Sequence, residues 1–285
     1  MSALDRARIL SGLNTSRIGR NLVCLDTTPS TQDIARDMAN HDAPDGTLVI
    51  ADAQTAGRGR MGRRWVAPPG SSLLMSLLLR PPLAPASVHQ LTMICSLAVL
   101  DAVYELTGLR LGIKWPNDIV TASQSQAQLQ GDGGQTIARK LAGLLSESGV
   151  VGERLEFCIV GMGINVNLDV ADLPQTITPA TSLMAELGRP VDQLALLWGV
   201  LRQIEHRYLA LQRSIATGQP GDVHREWASH LVTLGQQVNV TSGESALAGT
   251  ADGVDENGSL LLRAADGGLH RITVGDVTLR GPAGA

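Results

Sequence analysis

The 285-residue sequence is poor in aromatic residues, which make up only 2% of the chain. Its core must therefore be built from Leu, Val, Ile, Ala and Met, and few rings are available on which the bases of a nucleic acid could stack. An excess of positive charge is missing as well, since the net charge is −4 and the pI is about 5.9. Proteins that grip duplex phosphates usually carry a basic face. The composition therefore argues against a nucleic-acid partner.

Cysteine is equally scarce. Cys24, Cys95 and Cys158 lie far apart, without a C-x-x-C pair and without a histidine at metal-ligand spacing. The pattern indicates neither a disulfide framework nor a zinc site, and it predicts three small core residues. The opening residues "MSALDRARIL" lack the apolar run of a signal peptide, and no stretch approaches the roughly 18 apolar residues of a membrane span. We expect a cytoplasmic protein with no membrane partner.

The hydrophobic residues (44%) and charged residues (18%) occur in the proportions of an ordinary globular protein. Regular secondary structure is therefore expected along most of the chain. Apolar runs and helical spacing first predict strand 22–29, a helix capped by Ser30, strand 47–54 and strand 71–80. Helix 85–107, ended by Gly108, and strand 109–120, running into a turn at Pro116, come next. An antiparallel pair at 140–150 and 154–167 follows, and then helices 181–188, 192–216 and 220–232. The small, polar residues 121–136 predict a mobile loop.

Beyond residue 234 the sequence changes character. Short β-branched and apolar runs are interrupted at close intervals by Gly, Asp and Asn. This spacing is typical of a small antiparallel barrel. We therefore predict two domains, residues 1–234 and residues 235–285.

Residues 57–65 read "GRGRMGRRW", which contains the G-x-G-x-x-G pattern of a dinucleotide-binding turn. That reading fails because Pro68 and Pro69 deny the turn its helix, and because the acidic residue expected about 20 positions later is missing. The glycines permit positive φ and close backbone approach, while the arginine forks suit carboxylate and phosphate oxygens. Four like charges should keep the loop mobile until an anion orders it. The alternative is a solvated basic turn with no role.

Two further stretches carry polar groups at predicted strand ends. In "KWPND" (114–118), Lys114 ends a strand and the turn at Pro116 presents Asn117 and Asp118. A lysine beside an amide and a carboxylate can hold a phosphate oxygen and its Mg²⁺, although a surface turn with a capping aspartate would look the same. In "GMGINVN" (161–167) the glycines indicate close approach to the backbone, and the asparagines are either ligand donors or turn formers.

Together with "STQD" (30–33) and "KLAG" (140–143), these stretches stand in one order in biotin protein ligases, which the sequence resembles strongly over residues 22–170 and more weakly over 235–280. "GRGRMGRRW" is similar to the family's biotin-adenylate loop. The resemblance implies an α+β fold, with a mixed sheet and flanking helices in the catalytic domain and a small C-terminal SH3-like β-barrel. It also implies an enzyme that uses ATP, biotin and Mg²⁺ to form biotinyl-5′-AMP, and that transfers the biotinyl group to a lysine of a biotin carboxyl carrier protein or domain.

The same resemblance implies roles for individual residues. Those implied to bind biotin are Ser30, Thr31, Gln32, Gln54, Gly57, Arg58, Gly59, Arg60, Trp65, Lys114 and Gly143. Those implied to bind ATP are Arg58, Arg60, Arg63, Lys114, Asn117, Lys140, Asn165 and Arg280. Arg58, Arg60 and Lys114 would be catalytic, because they would stabilise the negative charge of the transition state. Asp118 would hold Mg²⁺ or steer the acceptor lysine. The family more often has Asn where this chain has Gln32, and Met61 falls where the family varies.

Some members of that family also repress transcription through an N-terminal DNA-binding domain. Only about 20 residues precede the first predicted strand here, so we expect a ligase without repressor function and no DNA partner. Two other interpretations stay open: a lipoate-type ligase of the same fold, and a non-catalytic nucleic-acid binder that uses the cluster from Arg58 to Arg64. The arginine motif and the barrel favour biotin. The sequence leaves the oligomeric state open, with a homodimer among the assemblies it allows.

Overall fold

The computed structural model describes residues 5–121, 138–172, 179–218, 221–242 and 245–279. Arg280 and nearly all of the loop predicted at 121–136 lie outside these described residues. The described chain forms a seven-stranded sheet followed by a five-stranded sheet. Six helices accompany the strands in the described ranges: α1 (Arg6–Gly12), α2 (Thr31–Asn40), α3 (His89–Thr107), α4 (Leu183–Leu187), α5 (Gln193–Thr217) and α6 (Val223–Ser229).

The larger sheet contains β1 (Leu22–Thr28), β2 (Thr47–Gln54), β3 (Ser72–Leu79), β4 (Leu111–Lys114), β5 (Asp118–Thr121), β6 (Lys140–Val151) and β7 (Arg154–Asn165). Its strand order is β1-β2-β3-β7-β6-β5-β4. β1 and β2 are parallel, because α2 crosses over between them, and the other neighbours are antiparallel. The sheet is therefore mixed, and the predicted α+β class is confirmed.

Helices cover both faces of this sheet. On one face α2 packs its Ala35 and Ala39 against Val49, Leu78 and Ile159. On the other face α3 and α5 pack on each other and on the sheet to form the main core. The helix boundaries follow the predicted signals, since Ser30 Oγ accepts from the backbone N–H of Gln32, and Gly108 ends α3 in the left-handed conformation.

One sequence expectation about α3 is corrected. By length and mean hydropathy, Pro85–Thr107 could span a membrane, whereas we expected no stretch to approach that limit. Most of its apolar window is nevertheless buried inside the protein. Its burial between α5 and the larger sheet accounts for the apolar composition, as in the central helix of a globular core.

The strand predicted at 109–120 is instead a hairpin. β4 and β5 pair antiparallel, with Lys114 opposite Asp118, and the chain reverses between them at the cis peptide bond of Trp115 and Pro116. The sequence predicted the turn at Pro116, but it did not predict that Ile119 and Val120 return in a second strand beside the first. As a result, Lys114, Asn117 and Asp118 lie together at one end of the sheet.

The smaller sheet contains β8 (Gln237–Ser242), β9 (Ser245–Val254), β10 (Leu260–Ala264), β11 (Leu269–Ile272) and β12 (Asp276–Leu279). It is antiparallel in the order β11-β10-β9-β8-β12, as a small C-terminal barrel domain requires. It docks on the first part of the chain through the turn before β10, where Trp115 Nε1 donates to the carbonyl of Gly258 at 2.8 Å. A side chain at Gly258 would collide with Met93, so the two surfaces are in close contact.

Candidate active site

A cavity of about 680 Å³ lies where the ends of both sheets meet. It is bounded by the start of α2, the arginine loop (residues 57–65), the β4–β5 turn, the strands β3, β6 and β7, and the strand β12 of the smaller sheet. Nearly all the site residues implied by the sequence line it: Ser30, Thr31, Gln32, Gln54, Arg58, Gly59, Arg60, Arg63, Trp65, Lys114, Asn117, Asp118, Lys140, Gly143 and Asn165. Gly57 lies behind this lining, and Arg280 is outside the described residues.

One end of the cavity is a polar floor, formed by Thr31, Gln32, Gln54 and Ser76. The backbone N–H of Thr31 donates to Gln54 Oε1 at 2.7 Å, and the Thr31 and Ser76 hydroxyls are 2.9 Å apart. Thr31, Gln32 and Ser76 are almost fully buried. Because Gln54 Oε1 is held by Thr31, the Gln54 amide directs its N–H₂ group elsewhere and retains donors for a ligand.

The arginine loop closes on itself. Trp65 donates its backbone N–H to the carbonyl of Gly57 at 2.9 Å, and Gly59 donates to the carbonyl of Arg63 at 2.7 Å. Positive φ occurs at Gly62 (71°) and also at Met61 (55°), whereas Gly59 is extended. Gly62 thus uses the positive φ that the sequence permits, and Met61 has a backbone role that its variability in the family did not indicate.

Each arginine of the loop has a partner. Arg58 pairs with Asp33 at 2.6 Å and with Glu147 at 3.4 Å. Arg60 donates to Asn117 Oδ1 at 3.1 Å, and Arg64 donates to the carbonyl of Thr55 at 2.8 Å. Arg63 pairs with Asp276 of β12. These acceptors offset the mutual repulsion of the arginines, and the mobility expected of the ligand-free loop stays a prediction.

The opposite end of the cavity is cationic and partly desolvated. Lys114 is 8% exposed, and burial lowers its pKa even though the carboxylate of Asp118 acts to raise it. Burial likewise lowers the pKa of Arg60. Lys140 Nζ forms an ion pair with Asp118 at 2.6 Å. Buried cations of this kind are stabilised by an incoming anion, so the cluster can bind a carboxylate or a phosphate group.

Between the two ends lies the ring of Trp65, which covers two glycines of the sheet. A Cβ added at Gly163 would lie 2.5 Å from the indole, and one at Gly143 would lie 3.0 Å from it. Lys140 Nζ lies 5.5 Å from the ring centroid, a cation–π distance. The indole Nε1 is buried and has no hydrogen-bond partner among the described residues. The glycines of "KLAG" and "GMGIN" thus provide the close approach that the sequence predicted.

The two asparagines of "GMGINVN" differ in role. Asn165 lines the cavity, although its Nδ2 is engaged by the carbonyl of Thr181 at 2.9 Å. Asn167 does not line it, and exchanges two hydrogen bonds with the backbone of Val191 instead. Its side chain thus joins two distant segments of the chain, a role that neither alternative left open by the sequence described.

Several lining residues were not found by sequence reasoning. Met75 and Ser76 lie in β3, which was predicted only as a buried strand, and Asp276, Val277 and Thr278 lie in β12. A serine inside an otherwise apolar run was the only signal for the first pair. For β12, the resemblance had drawn attention to Arg280 alone.

Comparison with known families and proteins agrees with this geometry. Residues 24–165 match the biotin/lipoate A/B protein ligase family, and residues 233–280 match the biotin protein ligase C-terminal domain. The first match covers the arginine loop and the β4–β5 turn, and the second covers the smaller sheet.

Relatives of known name span most of the chain. The bifunctional ligase/repressor BirA of Bacillus subtilis is 34% identical over 277 residues, which are 97% of this chain and 79% of that protein. The biotin--[acetyl-CoA-carboxylase] ligase of Paracoccus denitrificans is 31% identical over 223 residues, with 77% and 85% covered. The biotin protein ligase of Aquifex aeolicus, solved with biotin and ATP, superposes with a TM-score of 0.69 at 28% identity, covering 92% of this chain and 99% of that one. The chain belongs to the biotin/lipoate A/B protein ligase family, within its biotin protein ligases.

Proposed function

We propose that this protein activates biotin with ATP to give biotinyl-5′-AMP and then transfers the biotinyl group to a lysine of a biotin carboxyl carrier domain. The observation that carries this function is the polarity of the cavity. A buried floor of neutral hydrogen-bonding groups lies at one end, and a cluster of desolvated cations lies at the other. Biotin has the matching form, with a neutral ureido ring at one end and a carboxylate at the other.

The cationic end supplies the chemistry of adenylation. The biotin carboxylate attacks the α-phosphorus of ATP and pyrophosphate leaves, a reaction that depends on positioning and charge stabilisation rather than on a protein nucleophile. Arg60 and Lys114 lie where this charge would develop, and Arg58 approaches from the floor side of the loop. Because Arg60 and Lys114 are already partly desolvated, they need little reorganisation as the transition state forms.

Mg²⁺ would arrive with the phosphates of ATP, where it neutralises the charge of the leaving pyrophosphate. Asp118 lines the cationic end, and its carboxylate is ion-paired with Lys140. One or two carboxylates together with phosphate oxygens form the usual coordination of protein-bound Mg²⁺. Asp118 fits that role, and we propose it as the protein ligand.

The arginine loop would retain the adenylate. Biotinyl-5′-AMP is a reactive mixed anhydride, so water must be excluded until the carrier lysine arrives. Arg60 bridges the loop to Asn117 across the cavity, and Arg63 ties the loop to Asp276. Both contacts hold the loop over the cavity, which supports a function in sequestering the intermediate.

The alternatives are weaker on specific observations. Lipoate has an apolar dithiolane ring, which offers no acceptor to the Gln54 N–H₂ group at the polar floor, whereas the carbonyl of a ureido ring does. A nucleic-acid binder would present its arginines outward along a groove, whereas Arg58, Arg60 and Arg63 face one cavity and have partners within the protein.

We propose the same division of the chain as the sequence indicated, with the catalytic domain in residues 1–234 and the barrel domain in residues 235–285. The second sheet starts at Gln237, which supports a boundary near residue 234. Because ATP and biotin-dependent carboxylases occur together in the cytoplasm, we propose that compartment for the reaction.

The test is pyrophosphate release from ATP in the presence of Mg²⁺, measured with biotin, with lipoate and with neither. We expect release with biotin alone, followed by biotin incorporation into a purified carrier domain. Release with lipoate but not biotin would establish the lipoate alternative. Absence of release with either acid would overturn the proposed function.

A further inference from the structure

The side chain of Gln32 crosses the polar floor from α2 to the middle of the larger sheet. Its Nε2 donates to the carbonyls of Leu145 (3.4 Å) and Ile159 (3.3 Å), which belong to the neighbouring strands β6 and β7. Its Oε1 accepts from the Ser76 hydroxyl at 3.0 Å. Two carbonyls can be satisfied only by the N–H₂ group, so the orientation of this amide is fixed.

The orientation of the Gln32 amide also determines the hydrogen bonds of the Ser76 and Thr31 hydroxyls. Ser76 has one hydroxyl proton, and it is donated to Gln32 Oε1. The single proton of the Thr31 hydroxyl then points to acceptors inside the protein, because Ser76 Oγ lies 2.9 Å away and Gln54 Oε1 lies 3.1 Å away. The Thr31 oxygen then faces the cavity as an acceptor, which matches an N–H of a cyclic urea.

Space for the Gln32 amide exists because position 161 has no side chain. A Cβ added at Gly161 would lie 2.5 Å from Gln32 Oε1, a separation that real Cβ atoms essentially never show. The same Cβ would lie at 3.4 Å from the carbonyl oxygen of Leu145, near an ordinary contact distance, so the amide of Gln32 is the group that must move. An alanine at 161 would therefore displace the amide oxygen from Ser76.

We propose that Gln32 and Gly161 form a matched pair that positions Ser76 and Thr31, and that Gln32 is a positioning residue for biotin rather than one of its direct ligands. The pair acts on recognition of the ureido ring and leaves the adenylation chemistry untouched. This inference rests on the proposed function, because it takes biotin as the ligand.

The experiment compares Gly161→Ala, Gln32→Ala and the double variant. Steady-state pyrophosphate release gives KM for biotin, KM for ATP and kcat, and calorimetry gives the biotin Kd. Each single variant should raise KM and Kd for biotin about tenfold, the effect of one lost buried hydrogen bond, with kcat and the KM for ATP within about twofold. Both changes break the same contact, so the double variant should be no worse than Gln32→Ala.

Gly253→Ala in β9 is the matched control, because the same methyl group there meets only Leu261 Cδ1, at 4.0 Å. It should leave the biotin KM unchanged. Thermal unfolding of every variant separates loss of folded protein from loss of affinity, and Ser76→Ala should reproduce the change in Kd without adding a methyl group near Gln32. Multiplicative effects in the double variant, or equal losses in kcat and KM, would overturn the inference. If the unmodified protein fails to bind biotin, it is the proposed function that fails.

Discussion

Arg63 of the arginine loop forms an ion pair with Asp276, the first residue of β12. The loop belongs to the larger part of the chain and β12 to the smaller sheet. The contact therefore joins the segment that covers the cavity to a strand about two hundred residues later in the sequence.

Asp276→Asn should loosen this connection with little effect on stability. Both side chains are more than one third exposed, at 58% and 37%, and such pairs contribute about 0–1 kcal/mol to folding. We expect the KM for ATP to rise about two- to fivefold while the melting temperature stays within a few degrees. Asp252→Asn, which breaks the comparable pair with Arg263 inside the smaller sheet, is the control. Equal kinetic changes in the two variants would contradict a link between β12 and the loop.

Arg60→Gly should uncouple formation of the adenylate from its retention. Removing the guanidinium breaks the bridge to Asn117 and lets water reach the cavity. We expect the amount of free biotinyl-5′-AMP released per turnover to rise about tenfold, which corresponds to binding of the adenylate weakened by ~1.4 kcal/mol. Lysines on unrelated proteins should also become labelled. Arg64→Gly makes the same change in the same loop and should leak far less, because Arg64 binds the carbonyl of Thr55. A variant that neither leaked adenylate nor labelled other proteins would show that the loop does not sequester the intermediate.

The pH dependence should report the buried position of Lys114. Burial lowers its pKa, so the charged form is lost as the pH rises through a value below the usual ~10.4 for lysine. The alkaline limb of kcat/KM should therefore fall earlier than for an ordinary lysine. Lys114→Arg should move that limb to higher pH, because a guanidinium stays charged. The same substitution at Lys140 should leave the limb in place, and an unmoved limb in Lys114→Arg would rule out this assignment.

Trp65→Phe should separate the packing of the indole from its N–H group. The buried Nε1 has no hydrogen-bond partner among the described residues, which costs free energy in the ligand-free protein. Phenylalanine removes this cost but places a smaller ring over Gly163. The two effects oppose each other, so the free energy of unfolding should change by less than about 1 kcal/mol. Trp65→Ala should lower it by more, up to about 3 kcal/mol. Binding of biotinyl-5′-AMP, measured by calorimetry, should weaken in both variants. Full affinity in Trp65→Phe would show that no ligand uses the N–H group.

The local motifs were sufficient to predict most of the site, because each places its polar groups at the end of a strand or at a turn. Lys114 and Asn117 could be named from sequence for this reason, whereas Thr31, at the start of α2, was named from the family resemblance. Ser76 could not, because its importance depends on the Thr31 and Gln32 side chains that reach it from a different element. Distances between elements are not encoded in any local spacing, and the same holds for Asp276.

The fold was predictable from the sequence to about the same extent as the site. Caps and glycines located α2 and α3 closely, since their signals are local. The turn at Pro116 was predicted, but the pairing of β5 with β4 was not, because four-residue strands carry too short a pattern to indicate their partner. The positive φ of Met61 was also missed, because a tight turn with its own hydrogen bonds can hold a non-glycine residue in that conformation.

The participation of β12 in the cavity bears on the order of events during synthesis. Every lining residue outside β12 precedes Asp276 in the chain, so a nascent polypeptide can have a finished larger sheet and still lack one wall of the cavity. At about 5–20 residues per second, roughly 10 to 40 seconds would pass between synthesis of the arginine loop and synthesis of the strand that anchors it. The arginine loop can therefore gain its anchor at Asp276 only after the rest of the cavity lining has been made.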